Sequence, residues 1–404
     1  MTDQWRIKKI NEVGRLVTGK TPSSSKPESF GDKYPFITPT DMHDCRYASS
    51  TARYLSEEGA AGQKTLRIPA GSVAVSCIGW QMGKSIVTTR PSFTNQQLHT
   101  ILPNDEVDFL FLYYSLCTQR VELLSLGSAA GVRTPIINKS AFGLLSIAVP
   151  PLKIQRKIAS ILSAYDDLIE NNTRRIAIQE EMAQAIYREW FVNFRFPGHE
   201  NVKLVDSALG KIPEGWKELP LFDIVNVNYG KNLPTKQLDD SAPFPVYGAA
   251  KIIGRYTEFT RIDRTLICGC RGSVGEMQIT LPQCFVTNNS FTFDLDEHSF
   301  FWLYHTLMWR GLRDVVSGSA QPQITLQGIS SVQLSTPPKA TRKAFNESVL
   351  PLFELKFCLE KKNLNLRTTR DLLLPKLISG QLDVEDLDID MGMTAEELTE
   401  AAAG

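Results

Sequence analysis

From residue 152 to about 194, Ile154, Ile158, Ile161, Tyr165, Leu168, Met182 and Ile186 recur at spacings of three and four or multiples of them, with charges between them. That period puts the apolar side chains on one stripe of a single long amphipathic helix. The pattern returns after Pro338 through Phe345, Val349, Leu352, Leu355, Leu359, Leu366, Leu373 and Leu377, and stops at Ser379-Gly380. A double proline precedes each stretch, Pro150-Pro151 and Pro337-Pro338, where a fixed φ and a missing N–H are tolerated. Pro351 predicts a kink in the second. A helix of about 40 residues would be about 60 Å long, so each needs a partner along its length. The economical prediction is that the two pack on each other, antiparallel, as a coiled-coil spacer. The polar interruptions at Asn172 and Gln179 either set its register or face solvent.

The rest of the chain reads differently. Short β-favouring runs at 72–77, 85–89, 265–268 and 284–287 are punctuated by Gly, Pro and Asn, with one helical patch near 107–124 and another near 299–315. These stretches are copies of one plan. Trp5 stands 14 residues before Gly19-Lys20, and Trp216 stands 14 before Gly230-Lys231. Thr94-Asn95 answers Thr287-Asn288, Phe111 and Tyr114 answer Phe301 and Tyr304, and Gly127-Ser128-Ala129 answers Gly318-Ser319-Ala320. Each copy then reaches its double proline and an Arg-Lys pair, 156–157 or 342–343. The offset falls from 211 at the tryptophans to 187 at the prolines, so the second copy has shorter loops on the same frame. The expected architecture is α+β: a first module at 1–149, a helix at 150–196, a linker and second module at 197–336 whose body starts near 205, a second helix at 337–382, and a tail at 383–404.

Composition agrees with a folded chain of more than one domain: 404 residues, 42% hydrophobic and 22% charged. No apolar run approaches the roughly 20 residues of a membrane span, and the first 11 residues are polar, so a cytoplasmic protein is expected. Seven scattered cysteines suit reduced core thiols. Net charge is zero, yet residues 1–149 hold 16 basic and 12 acidic side chains, while 383–404 hold eight acids and no base. An acidic tail can hide a basic working surface from a whole-chain sum.

Several motifs point to chemistry and fail on context. The run from Gly14 to Thr21 fits a phosphate-binding loop letter for letter, but Pro22 to Pro27 cannot open the helix whose amides would hold phosphate, and the second copy lacks the first glycine. Cys268, Cys270 and Cys284, and His43 with Cys45, complete no metal-ligand set. No nucleophile elbow, triad or Asn/Asp-Pro-Pro-aromatic motif is present. No catalytic site, cofactor site or metal site is therefore expected in this chain.

Two modules of one design but unlike loops, with two antiparallel helices, resemble the specificity subunits of type I restriction-modification systems. The resemblance is carried most specifically by 149–161 (VPPLKIQRKIASI), 189–198 (EWFVNFRFPG), 211–216 (KIPEGW) and 374–382 (LPKLISGQL). It departs at Ile154 and Thr341, where an acidic residue is usual. The resemblance implies a non-catalytic subunit whose two target-recognition domains, mixed α/β with small twisted sheets, each read one half of a split double-stranded DNA site. It also implies a pseudo-two-fold repeat with helices that set the spacing, and two docked methyltransferase subunits that carry S-adenosylmethionine, with nuclease or translocase subunits where the complex cuts. Alternatives are a subunit of another restriction class or of a methylation-only system, and a coiled-coil scaffold with two protein-binding modules.

DNA readers are expected among residue types that pair with base edges or phosphates on the repeated loops. In the first module these are Lys20, Thr21, Trp80, Gln81, Lys84, Gln96, Gln97, Ser128, Arg133 and Thr134. The second module offers Lys231, Asn232, Arg271, Ser273, Asn289, Ser319, Gln321 and Gln323. Thr-Asn at the same place in both copies suits a structural role, because unlike half-sites should not need the same reader.

Overall fold

A computed structural model describes residues 5–42, 46–48, 50–128, 134–389 and 397. The chain divides into two compact units, Met1–Arg174 with Leu359–Gly404, and Arg175–Cys358. The division falls inside both long helices, Leu152–Tyr187 and Lys339–Ile378, so each unit contains one module and a part of each helix.

In the first unit, Arg6–Lys9 pairs antiparallel with Ser146–Val149, closing the module's two ends. The main sheet runs in the order Gly14–Thr18, Leu98–Pro103, Val73–Ser76, Ser85–Thr88, Tyr47–Ala48. Tyr34–Ile37 pairs in parallel with Phe93–Thr94. The helix Phe109–Thr118, capped by the Asp108 carboxylate on Phe111 N–H, buries Phe111, Leu112 and Leu116 in one core with Val73, Val75 and Ile101. That core continues onto the long helices through Ile158, Leu162, Leu377 and Ile378.

The second unit repeats this order. Lys217–Pro220 pairs with Gln333–Thr336, and the sheet runs Asn226–Tyr229, Ser290–Asp294, Leu266–Gly269, Met277–Ile279. Phe244–Gly248 pairs in parallel with Phe285–Val286, and the helix Phe300–Arg310 fills the place of Phe109–Thr118. Among the described residues no strand of this four-stranded sheet answers Tyr47–Ala48. The duplication read in the sequence is thus a duplication of topology.

The long helices pair antiparallel inside each unit. In the first, Asn172 Nδ2 donates to Asn363 Oδ1 at 2.9 Å, Asn363 Nδ2 donates to the Thr173 hydroxyl at 3.2 Å, and Arg370 pairs with Asp166, which also accepts from the Tyr114 hydroxyl. In the second, Lys356 meets Glu180 at 2.6 Å and Tyr187 meets Phe345 edge-on at 6.1 Å, while Phe353 stacks on Phe301 of the module at 4.1 Å. The apolar stripe differs from the sequence expectation at two positions: Leu168 and Met182 are 52% and 47% exposed. The buried line runs instead through Ile158, Leu162, Asp166, Ile169 and Asn172, because the two polar members are satisfied across the interface and within the module. Gln179 is half-buried. The second helix continues through Pro351, which lies on its exposed face. After Tyr187 the first helix loosens into a π-helical turn, Arg188–Val192. At the start of the acidic tail Val384 is buried, and the Lys157 ammonium donates to the carbonyls of Glu385 and Leu387, each at 2.6 Å.

His305 gives the second unit an acid-sensitive core. It is 3% exposed, stacks on Tyr187 at 5.6 Å, and burial together with the nearby Lys356 charge pushes its pKa down to about 4. The unfolded chain protonates it near its ordinary value of 6.5, the native state only near 4, so between these values the unfolded state binds more protons. Stability is full above 6.5 and falls as pH drops toward 4, by up to about 3 kcal/mol. His305→Phe should flatten this slope, read as a smaller loss of melting temperature between pH 7 and pH 5 than in the unaltered chain.

Candidate nucleic-acid interface

The two modules build the same turn system at one end of their sheets. In the first unit Ser76 N–H donates to Lys84 O at 2.9 Å, Gly83 N–H to Ser76 O at 2.8 Å, Cys77 N–H to Gln97 O at 3.0 Å, and Ile137 N–H to Cys77 O at 3.0 Å. In the second unit, Gly269 to Glu276 at 2.9 Å, Gly275 to Gly269 at 2.8 Å, Cys270 to Asn289 at 2.9 Å and Ile324 to Cys270 at 3.0 Å match these one for one. The glycines match too: φ is +69° and +80° at Gly79 and Gly83, and +82° at both Gly272 and Gly275, a left-handed backbone that glycine adopts without steric cost. Two loops of unlike side chains, 77–83 and 270–275, are therefore displayed on one backbone frame.

The repeated Gly-Lys and Thr-Asn pairs belong to that frame. A Cβ on Gly19 would lie 2.0 Å from the Thr94 carbonyl oxygen, and one on Gly230 would lie 2.3 Å from that of Thr287. Lys20 N–H donates to Thr94 O at 3.0 Å and Lys231 N–H to Val286 O at 2.9 Å, while Thr94, Asn95 and Thr287 are buried. Close backbone approach accounts for the two glycines. It also disposes of the phosphate-loop pattern: Gly14–Thr18 is a strand, and the Pro27–Ser29 turn is the first helical element after Lys20.

On this frame the candidate side chains fall into groups. Trp80 is 85% exposed at the tip of the 79–81 turn, beside the half-buried Gln81, whose Oε1 has no hydrogen-bond partner. Lys84 directs its ammonium to the Met42 carbonyl at 3.4 Å. Thr21 donates through its hydroxyl to Gln96 Oε1 at 2.8 Å, so Lys20, Thr21 and Gln96 share one exposed corner, whereas Gln97 is held by Asn95 through two hydrogen bonds. Ser128 ends the helix Arg120–Ser128 and is exposed, as is Thr134; Arg133 lies outside the described residues.

In the second unit, Arg271 and Ser273 on one loop, Asn289 on the next, and Gln323 in the 316–324 hairpin meet through the Arg271–Gln323 bridge and the Arg271 N–H to Asn289 O bond. Arg271 Nε donates to Gln323 Oε1 at 3.3 Å. Ser319 and Gln321 are exposed at the hairpin tip, and Lys231 and Asn232 are exposed on the neighbouring turn.

Sequence reasoning missed Ala249 and Ala250. They form a two-residue hairpin turn with φ of +51° and +65°, and the Ala249 methyl lies 3.1 Å from where a Cβ on Gly272 would stand. Asn-Gly would have announced such a turn; two alanines do not. It also missed Lys251, paired with Glu276 at the loop's edge.

The thiols beneath these loops are not poised as nucleophiles. Burial pushes the thiols of Cys77 and Cys268 up to about 12 and raises those of Cys270 and Cys284, so they stay protonated. No group of three or more His, Cys, Asp or Glu suited to a metal is found among the described residues, and none of their helices is long and apolar enough to cross a membrane.

The family described as type I restriction modification DNA specificity domain matches the chain twice, over residues 2–180 and 213–365. The type I restriction enzyme MjaIX specificity subunit of Methanocaldococcus jannaschii is 28% identical over 410 residues, covering 95% of this chain and 94% of that protein. The HindI specificity subunit of Haemophilus influenzae is 38% identical over 176 residues, 41% of this chain and 38% of that protein. A crystal structure of the type I restriction-modification S subunit from M. genitalium shares the fold, with a TM-score of 0.61 at 18% identity, covering 93% of this chain and 97% of that one. Both modules carry the match, and together the matched segments span most of the sequence: the chain belongs to the type I restriction-modification specificity subunits.

Proposed function

We propose that this chain is the non-catalytic, sequence-reading subunit of a type I restriction-modification complex, in which each module reads one half of an asymmetric split site in duplex DNA. The observation that carries this reading is the frame built twice with different exposed loops: a shared backbone places readers equivalently, and unlike side chains read unlike half-sites. The paired helices set the number of unread base pairs and offer two related surfaces to two methyltransferase subunits. Those subunits, not this chain, hold S-adenosylmethionine, and nuclease or translocase subunits join where the complex cuts.

Fluorescence anisotropy with labelled duplex DNA, for the chain alone and with its methyltransferase partner, tests the reading. Phosphate contacts release counterions, so affinity should fall on the order of a thousandfold between 50 and 200 mM salt. The methylation map of cells carrying the complex should show one motif of two unequal halves. Salt-independent binding, or none in either preparation, would replace this reading with that of a protein-binding scaffold.

A further inference from the structure

One position on the shared frame changes chemistry completely between the units. Ile78 and Ile136 bridge in the first unit where Arg271 and Gln323 bridge in the second. Four backbone hydrogen bonds around it recur in both units, and each loop adds a bond of its own, Gly79 N–H to Pro135 O in the first and Arg271 N–H to Asn289 O in the second. Ile136 is 58% exposed, and the first unit presents there an apolar edge with the exposed Trp80 nearby. The second presents a guanidinium whose Nε is held by Gln323 Oε1 at 3.3 Å. Among the described residues no hydrogen bond or ion pair engages Arg271 Nη1 or Nη2, and the nearby Glu276 pairs with Lys251 instead.

Resting on the DNA-reading function proposed above, we infer that Arg271 reads a guanine in the half-site of the second unit and that Gln323 is its positioning residue. A guanidinium fork matches guanine O6 and N7, whereas isoleucine can offer a base only apolar contact, such as with a thymine methyl. A free surface arginine loses rotamer freedom when it docks; one anchored through Nε, on a loop pinned to Asn289 and Ile324, has lost part of it beforehand. The same arginine placed on a phosphate would strengthen binding to every sequence alike, and the two roles separate experimentally.

The test maps methylation by the whole complex, formed with the unaltered chain and with Arg271→Gln, Arg271→Lys and Gln323→Ala, each checked for an unchanged melting temperature. Arg271→Gln should relax one G:C pair in the second unit's half-site or turn it toward A:T, and weaken binding to the original site by roughly 10- to 100-fold. Arg271→Lys keeps the charge but loses the fork, so it should relax the same pair, and Gln323→Ala should relax it less. An unchanged motif in all three variants overturns the inference. So does a uniform loss with a salt slope reduced by about one and no relaxed position, which marks a phosphate contact. If the unaltered complex methylates no split motif, the functional reading fails, and that failure is distinct from either result.

Discussion

Replacing residues 1–149 with the equivalent module of a relative should exchange one half of the methylated motif completely and leave the other half and the spacing untouched. The first module is closed by its own ends, Arg6–Lys9 against Ser146–Val149, so the exchange cuts where the chain enters the helix and not inside the sheet. It is nevertheless anchored to that helix. Gln155, fully buried, donates to the carbonyls of Glu106 and Pro150 and accepts from Asp108 N–H; Tyr114 donates to Asp166; and Arg46, also buried, pairs with Asp167. A donor module lacking counterparts of Arg46 and Tyr114 would leave the buried Asp166 with Arg370 alone, and loss of a hydrogen bond to a buried charge is costly, whereas Asp167, 61% exposed, would turn to solvent. The exchange is therefore to be made with a donor that supplies both, with a melting curve as control. A motif altered in both halves would show that the modules do not read independently.

How much of this was legible in the sequence depended on the kind of interaction. The helices announced themselves because a period of three and four sustained over some ten turns behind a double proline fits no strand or loop. The duplication was legible because glycines at 19 and 230 are compelled by a backbone approach that no other residue allows. The buried polar line was not legible. Asp166 looks like a solvent-facing charge until Tyr114 and Arg370, far away in sequence, are brought to it. Asn172 read equally well as exposed until Asn363 appeared opposite it. The candidate interface was legible to the level of loops only. Arg271 and Trp80 were residues of suitable type, but that they stand two positions apart on one common frame follows from hydrogen bonds between segments distant in sequence. The left-handed Ala249-Ala250 turn carries no sequence signature at all.

Excising seven residues from each long helix, 174–180 and 355–361, should shorten the unread segment between the half-sites by about three base pairs without changing either half. Two helical turns correspond to about 10 Å, and duplex DNA rises about 3.4 Å per base pair. The two segments are of equal length and remove Glu180 and Lys356 together, so no half of that ion pair is stranded. In the first unit the Asn172–Asn363 and Asp166–Arg370 contacts remain, and in the second the edge-on contact of Tyr187 with Phe345 remains, so each unit keeps a contact between its two helices. Seven residues return the seam to nearly the same face of each helix, with a drift of only about 20°. An excision of four residues from one helix alone is the informative contrast: it misaligns the buried asparagines, leaving amides unpaired at about 1–3 kcal/mol each, and should lower the melting temperature and abolish methylation. If the matched excision instead rewrites a half-site while the spacing stays as it was, the helices take part in reading the sequence and do not measure distance along it.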